Sequence, residues 1–284
     1  MITKTGSRNA SIIFKVIAYT LCVFLTILSI FPFLIMFINA TRSSPEIQAH
    51  AISLLPSTHL LSNFEHFNGK PFNPMRGFLN SMIISGGSTG LNIYFSTLTA
   101  YAIVAYNWKF RNTFFAIIMG VMMIPAQLTS IGFYKFMYQV DLVNNFIPLI
   151  LPAIAAPATV FFMRQYMMAN LPLDLLEAAR IDGSKEFWTF NRIVLPIMTP
   201  AMATQAIFSF VGSWNSLFLP MILLTEQDLY TMPIMVSLLK GDIYKTEYGS
   251  VYLGLSLTVL PLFVVYFLLS KYIIAGVALG GVKG

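Results

Sequence analysis

The sequence predicts an all-α membrane protein of six transmembrane helices with both termini cytoplasmic, and three observations predict it. Only 10% of the 284 residues are charged and 57% are hydrophobic, giving a mean hydropathy of +0.73. A soluble domain carries roughly a quarter charged residues, and hydrocarbon imposes the shortfall because a charge inside a span is costly. Charge-free intervals recur at 16–41, 77–108, 112–134, 142–163, 193–225 and 248–270. Each meets the ~20 residues that cross ~30 Å of hydrocarbon. The basic residues then choose an orientation. With the N-terminus inside, cytoplasmic segments hold eleven Lys and Arg and the outer loops hold six, as the positive-inside rule requires.

Taken in order, residues 1–15 form a cytoplasmic N-terminus whose Lys4, Arg8 and Lys15 precede an apolar run. That run is too long for a signal-peptide core and shows no clear small-x-small cleavage site, so it reads as a retained helix. The six-helix domain covers 16–270, with spans at about 16–41, 78–106, 113–134, 146–163, 197–224 and 250–270, and a cytoplasmic tail at 271–284. The interval 47–64 is also free of Asp, Glu, Lys and Arg, but His50, Pro56, His59 and many hydroxyl or amide groups argue against a span. Pro125, Pro148, Pro152 and Pro157 predict kinked or interrupted third and fourth spans, which neighbouring helices make tolerable. Gly86 and Gly90, in SGGSTG at 85–90, predict a helix-packing seam in the second span.

This partition leaves every ionisable residue except Cys22 and the tyrosines in a loop or at a helix end. Ion-coupled carriers and intramembrane enzymes keep an acid, base or metal ligand at depth, so both classes are disfavoured. No phosphate-binding loop of the G-x-x-x-x-G-K-[ST] type is present; Gly69-Lys70 is followed by Pro71. Uphill work therefore needs energy from a partner chain. His50, His59 and His66 are too irregularly spaced for a metal site, and no metal is expected. The net charge of +6 is an orientation signal rather than a mark of nucleic-acid binding. Cys22 is the single cysteine, so no disulfide framework exists.

Charge gathers in one place. Glu177, Arg180, Asp182, Lys185, Glu186 and Arg192 fall within sixteen residues of the loop 164–196. Pro172 and Gly183 predict a helix over Pro172–Asp182, with Leu173, Leu176 and Ile181 at apolar positions and Ala178 and Ala179 as small contacts. Ser184 is expected to cap a second helix carrying Phe187, Trp188 and Phe190, before Pro196 leads into the fifth span. Two short helices around a glycine turn make a docking knob; the alternative is an interfacial loop with aromatics at headgroup level.

Glu177-Ala178-Ala179, Asp182-Gly183, and Ile193 with Leu195-Pro196 resemble the signature loop of bacterial ABC importer permeases, E-A-A-x-x-x-G followed nine residues later by I-x-L-P. SWNSLFLP (213–220), EQDLYTMPI (226–234) and the tail GVALGGVKG (276–284) are similar to the carbohydrate-uptake branch, specifically the second permease of the maltose-type pair. The likeness runs from about residue 20 to 284, with Ser184 where Ala is common and a departing run at 278–281.

The resemblance implies the type I ABC importer permease fold in a bacterial cytoplasmic (inner) membrane. It implies a second permease, two ATP-binding subunits that hold ATP and Mg, and an extracytoplasmic solute-binding protein. No catalytic residue and no cofactor are expected on this chain. Glu177, Ala178, Ala179, Asp182, Gly183, Leu195 and Pro196 are the implied ATPase-coupling residues. Loops 42–76 and 226–249 are expected to meet the solute-binding protein, and the tail 275–284 either the ATPase interface or nothing. For the solute path, Gln205, Ser209, Gly212, Ser213 and Ser216 recur at helical spacing in the fifth span, beside Trp214 and Asn215. Hydroxyl and amide groups next to an aromatic ring suit a sugar; helix packing is the competing use of the same residues. The expected substrate is an oligosaccharide, with glycerol phosphate, a polyol or another non-sugar solute as the alternative. A secondary carrier is the remaining alternative, less well supported.

Overall fold

The computed structural model describes residues 4–69, 73–240 and 246–280, and these are helices, turns and loops without a strand. Lys70, Lys245 and Lys283, three of the basic residues used to orient the chain, lie outside the described residues, as does the end of the tail, 281–284. The chain divides into two compact units: Met1–Lys70 with Leu238–Leu257, and Pro71–Ser237 with Thr258–Gly284.

The first unit holds α1 (Lys4–Asn39), α2 (Ser44–Ala49), α3 (Leu60–Phe67) and the opening turns of α14 (Tyr248–Gly280). From Phe14 to Leu34, α1 points its large apolar side chains outward, as a helix does when lipid covers it. The segment after α1 is organised by a buried guanidinium. Arg42 donates to Asn39 Oδ1 at 3.0 Å, His50 O at 2.7 Å and Glu46 O at 2.9 Å. Charge-assisted bonds to carbonyls compensate for its removal from water. Asn63 Nδ2 donates to Ala40 O and Arg42 O, and Ser250 Oγ donates to Asn63 O at 2.9 Å. Gly249 is required here, because a Cβ would lie 2.4 Å from Arg42 O. The Ser43 N–H donates to Glu46 Oε2 at 2.8 Å and holds that carboxyl below its usual pKa. Among the described residues no three His, Cys, Asp or Glu side chains converge as metal ligands.

The second unit is built on α4 (Pro74–Val104), which packs against α8 (Pro157–Asn170) and α11 (Leu195–Trp214). The core at one end of α4 gathers Ile93, Ala100 and Tyr101 with Met163, Met167, Leu176, Phe190 and Met198. Hydrogen bonds lace α4 to α11: Ser88 Oγ donates to Ser213 Oγ at 2.9 Å, and Asn92 Nδ2 to Ser209 Oγ at 3.1 Å. Such bonds help join helices in lipid, where hydrophobic driving force between them is absent. The seam differs from the one expected. Gly86 and Gly90 are exposed and a Cβ on either meets nothing within 4 Å, whereas Gly87 faces Ile150 and Ser88 bonds to α11. A small-xxx-small pair marks a face for close approach, but it does not say which helix approaches.

Among the described residues four stretches are long and apolar enough to cross a membrane: Phe14–Asn39, Ile147–Asn170, Glu186–Trp214 and Tyr248–Ser270. The second and third expected spans fall short for different reasons. Serines, glycines and asparagines dilute α4, although it is 31 residues long. The third is broken into α5 (Arg111–Val121) and α6 (Ala126–Gln139) around Pro125. The fourth starts with α7 (Ile147–Ile150) and a 3-10 turn over Leu151–Ile154, breaks, and resumes at Pro157 in α8. Pro125 and Pro157 stand at these breaks, where a residue without an N–H costs the ladder least.

Candidate functional site

The charged loop folds as a helix, a tight turn and a second helix. The first helix, α9 (Leu173–Ile181), is one residue shorter at each end than Pro172–Asp182, since Pro172 and Asp182 are its caps. Gly183 takes φ +78°, its N–H reaches Arg180 O at 3.0 Å, and the Ser184 N–H reaches Ala179 O at 2.9 Å. That pair of bonds is a Schellman turn, and only glycine adopts this φ without strain. Leu176 and Ala179 face the core. Asp174, Glu177, Ala178 and Ile181 form the opposite, exposed stripe at i, i+3, i+4 and i+7. Of the three apolar positions only Leu176 is buried; Leu173 is exposed and Ile181 is 86% exposed. The two alanines likewise part: Ala179 is buried and Ala178 open. A cavity of 490 Å³ lies beside the turn, lined by Ala179, Asp182, Gly183, Lys185, Trp188 and Ile193 among others.

Ser184 does not cap the next helix. Its Oγ pairs with Thr189 Oγ1 at 2.6 Å, and α10 (Glu186–Thr189) starts after Lys185. Nor does that helix end before the apolar run. It passes through a π turn, Phe190–Val194, directly into α11, with the Leu195 N–H bonded to Phe190 O. Pro196 offers no N–H to Arg192 O, and the widened turn absorbs that gap. Leu195 packs against the core beside Ile193, while Pro196 is exposed.

Glu186 is turned inward, to partners on its own chain. Its Oε1 accepts from Arg180 Nε at 2.8 Å, and its Oε2 accepts from Tyr101 Oη at 3.0 Å and from Tyr106 Oη. The Arg180 guanidinium lies 5.1 Å from the Tyr106 ring centre, and its bond to Glu186 raises its pKa above the ordinary value. Two of the six clustered charges therefore serve the chain itself. Among the described residues the other ion pair is Arg76 with Asp228.

The candidate path residues meet three environments. Ser209 and Ser213 bond to α4, and Trp214 is enclosed by Phe78 and Phe210 with Nε1 donating to Thr258 O at 2.8 Å. Gln205 is half-buried and Gly212 exposed on α11. The helix stops at Trp214, so Asn215 caps it and Ser216 lies in the break before α12 (Phe218–Leu223), outside the helical stripe. There Ser216 lines a 420 Å³ cavity with Thr129, Ser130, Phe133, Pro152, Phe218 and Leu219.

Residues 92–278 match the family model of the binding-protein-dependent transport system inner membrane component. The chain is 36% identical over 263 residues to the arabinooligosaccharides transport system permease protein AraQ of Halalkalibacterium halodurans, covering 92% of this chain and 94% of that one. It is 31% identical to the lactose transport system permease protein LacG of Rhizobium radiobacter, covering 94% and 96%. It is also 31% identical to the sn-glycerol-3-phosphate transport system permease protein UgpE of Escherichia coli, covering 87% and 90%. A crystal structure of a bacterial ABC transporter involved in import of the acidic polysaccharide alginate contains a chain of the same fold. It matches at a TM-score of 0.78 and 19% identity over 96% of this chain and 99% of that one. The chain belongs to the binding-protein-dependent transport system inner membrane components: it is a multi-pass permease subunit of an ABC importer, a transport component and not an enzyme.

Proposed function

We propose that this permease carries sugars, of the oligosaccharide class, and that the exposed stripe of α9 receives the stroke of its ATPase. The observation that carries the reading is the knob itself. Glu177, Ala178 and Ile181 stand clear of the core beside a turn fixed by Gly183, so a cleft in another protein can close on them. Asp182 and the far wall of the 490 Å³ cavity extend the same surface. Leu195 and Pro196 sit beyond the π turn, where they join the knob to α11 rather than touch a partner.

In this reading six spans, at about 16–41, 78–106, 113–134, 146–163, 197–224 and 250–270, cross the membrane with both termini inside. A different permease pairs with this one, two ATP-binding subunits carry ATP and Mg, and a solute-binding protein docks outside. The relatives named for arabino-oligosaccharides and lactose favour a sugar. Glycerol phosphate is the second reading, because UgpE is a relative too. Against it, no Lys or Arg occurs in 77–108, 193–225 or 248–270, and an anion favours basic groups along its path. Asn215 and Ser216 at the helix break, with Phe133 across the cavity, are the path residues this reading retains. Hydroxyls satisfy a sugar's polar edge and a ring takes its C–H face.

Gentle solubilisation of native membranes followed by pull-down tests both halves. An ATPase, a second permease and a solute-binding protein are expected to co-purify, and that binding protein is then titrated with arabinotriose, lactose and glycerol 3-phosphate. A chain recovered alone would overturn the assembly, and binding of glycerol 3-phosphate only would overturn the sugar.

A further inference from the structure

Movement imposed on α9 has two routes into the membrane. One follows the chain through α10 and the π turn at Phe190–Val194 into α11. A π turn departs from the regular ladder and is a local irregularity at which a helix yields. The other route is lateral and involves no peptide connection. Arg180 on α9, Glu186 on α10, Tyr101 in α4 and Tyr106 just beyond it converge on a single carboxylate. Both Glu186 oxygens are engaged, one by the guanidinium and the other by two phenol hydroxyls. Ring contacts thicken the join: Phe190 lies 5.7 Å from Tyr94 and 5.5 Å from Tyr101, centre to centre. Behind it α4 is an unbroken helix of 31 residues, about 45 Å long at ~1.5 Å per residue.

We propose that Glu186 is a positioning residue that fastens the α9 knob to the end of α4, so that ATPase closure moves α4 directly instead of reaching it through α11. This rests on the ATPase-docking reading of α9. Glu186 touches neither the ATPase nor the solute. It is half-exposed, and three donors of its own chain already occupy most of its acceptor sites, at both oxygens. Arg180 depends on it in turn, because its Nε bond to Glu186 is its ion pair among the described residues.

The test uses the whole complex, purified with its ATPase, in a Cys22→Ser background with Gly90→Cys carrying a spin label. Gly90 lies mid-way along α4, is exposed, and has room for a side chain. Trapping with ATP and vanadate is expected to shift the label's mobile fraction in the parent. In Glu186→Gln that shift falls about fivefold or more, within the range seen for coupled sites, while ATP hydrolysis and recovered ATPase stay at parental level. Glu186→Asp recovers part of it, and Tyr101→Phe with Tyr106→Phe lowers it while leaving the Arg180 pair. An undiminished shift in Glu186→Gln, or no shift in a hydrolysing parent, overturns the inference alone. Loss of the ATPase from Glu186→Gln only would put Glu186 in the docking contact and overturn it too. Absence of an ATPase from the parent would instead sink the docking reading underneath.

Discussion

Single residues decide the shape of the knob and of the Arg42 segment. Gly183 holds φ +78° with open space around it, so a methyl group there meets backbone strain and nothing else. Gly183→Ala is expected to cost about 1 kcal/mol, read as faster amide exchange at Ser184. Gly183→Pro removes the N–H that reaches Arg180 O and forces a negative φ, so uptake is lost while the chain still inserts. Gly249 is the contrasting case. Its Cβ would strike Arg42 O and the Asn63 side chain at 2.4 Å, and two of those walls are fixed by hydrogen bonds. Gly249→Ala should destabilise by about 2 kcal/mol or more, seen as a lower thermal midpoint in detergent. Both glycines were visible in the sequence, but only Gly183 stood in a motif; the need for Gly249 arises from residues about two hundred positions away.

At the scale of elements, α11 divides what spacing had joined. Helical periodicity put Gln205, Ser209, Gly212, Ser213 and Ser216 on one face, yet the helix ends at Trp214 and Ser216 turns into a separate cavity. Spacing gives a face and not its neighbour, so the bonds from Asn92 and Ser88 to Ser209 and Ser213 were illegible until α4 was placed. The prolines were informative only in part: Pro125 and Pro157 mark real breaks, whereas Pro32, Pro200 and Pro261 lie inside continuous helices whose neighbours carry the lost N–H. Trp214→Phe is predicted to keep KM for uptake and lose about 1 kcal/mol of stability, through its bond to Thr258 O. Ser216→Val is predicted to raise KM without a stability loss. Equal KM changes in both would return Trp214 to the solute path.

Across the whole molecule, composition carried the class: too little charge for water, too little at depth for ion coupling, and one charged loop. What the loop's charges are for was only half legible. Counting gathered all six in one loop without saying what each one meets, and Glu186 and Arg180 face each other and two tyrosines some 80 residues earlier. The remaining exposed stripe, Asp174, Glu177, Ala178 and Ile181, is the surface on which the account stands. Glu177→Lys should leave insertion intact and abolish uptake by reversing charge in the middle of that surface. The most direct measurement puts a photo-crosslinker on Ala178→Cys in a Cys22→Ser background, Cys22 being the chain's single cysteine, and irradiates native membranes. The account predicts an adduct with an ATP-binding subunit and protection from membrane-impermeant maleimide added outside. No ATPase adduct, with Ala178→Cys labelled from the outside, would contradict both the coupling role of α9 and the orientation of the chain.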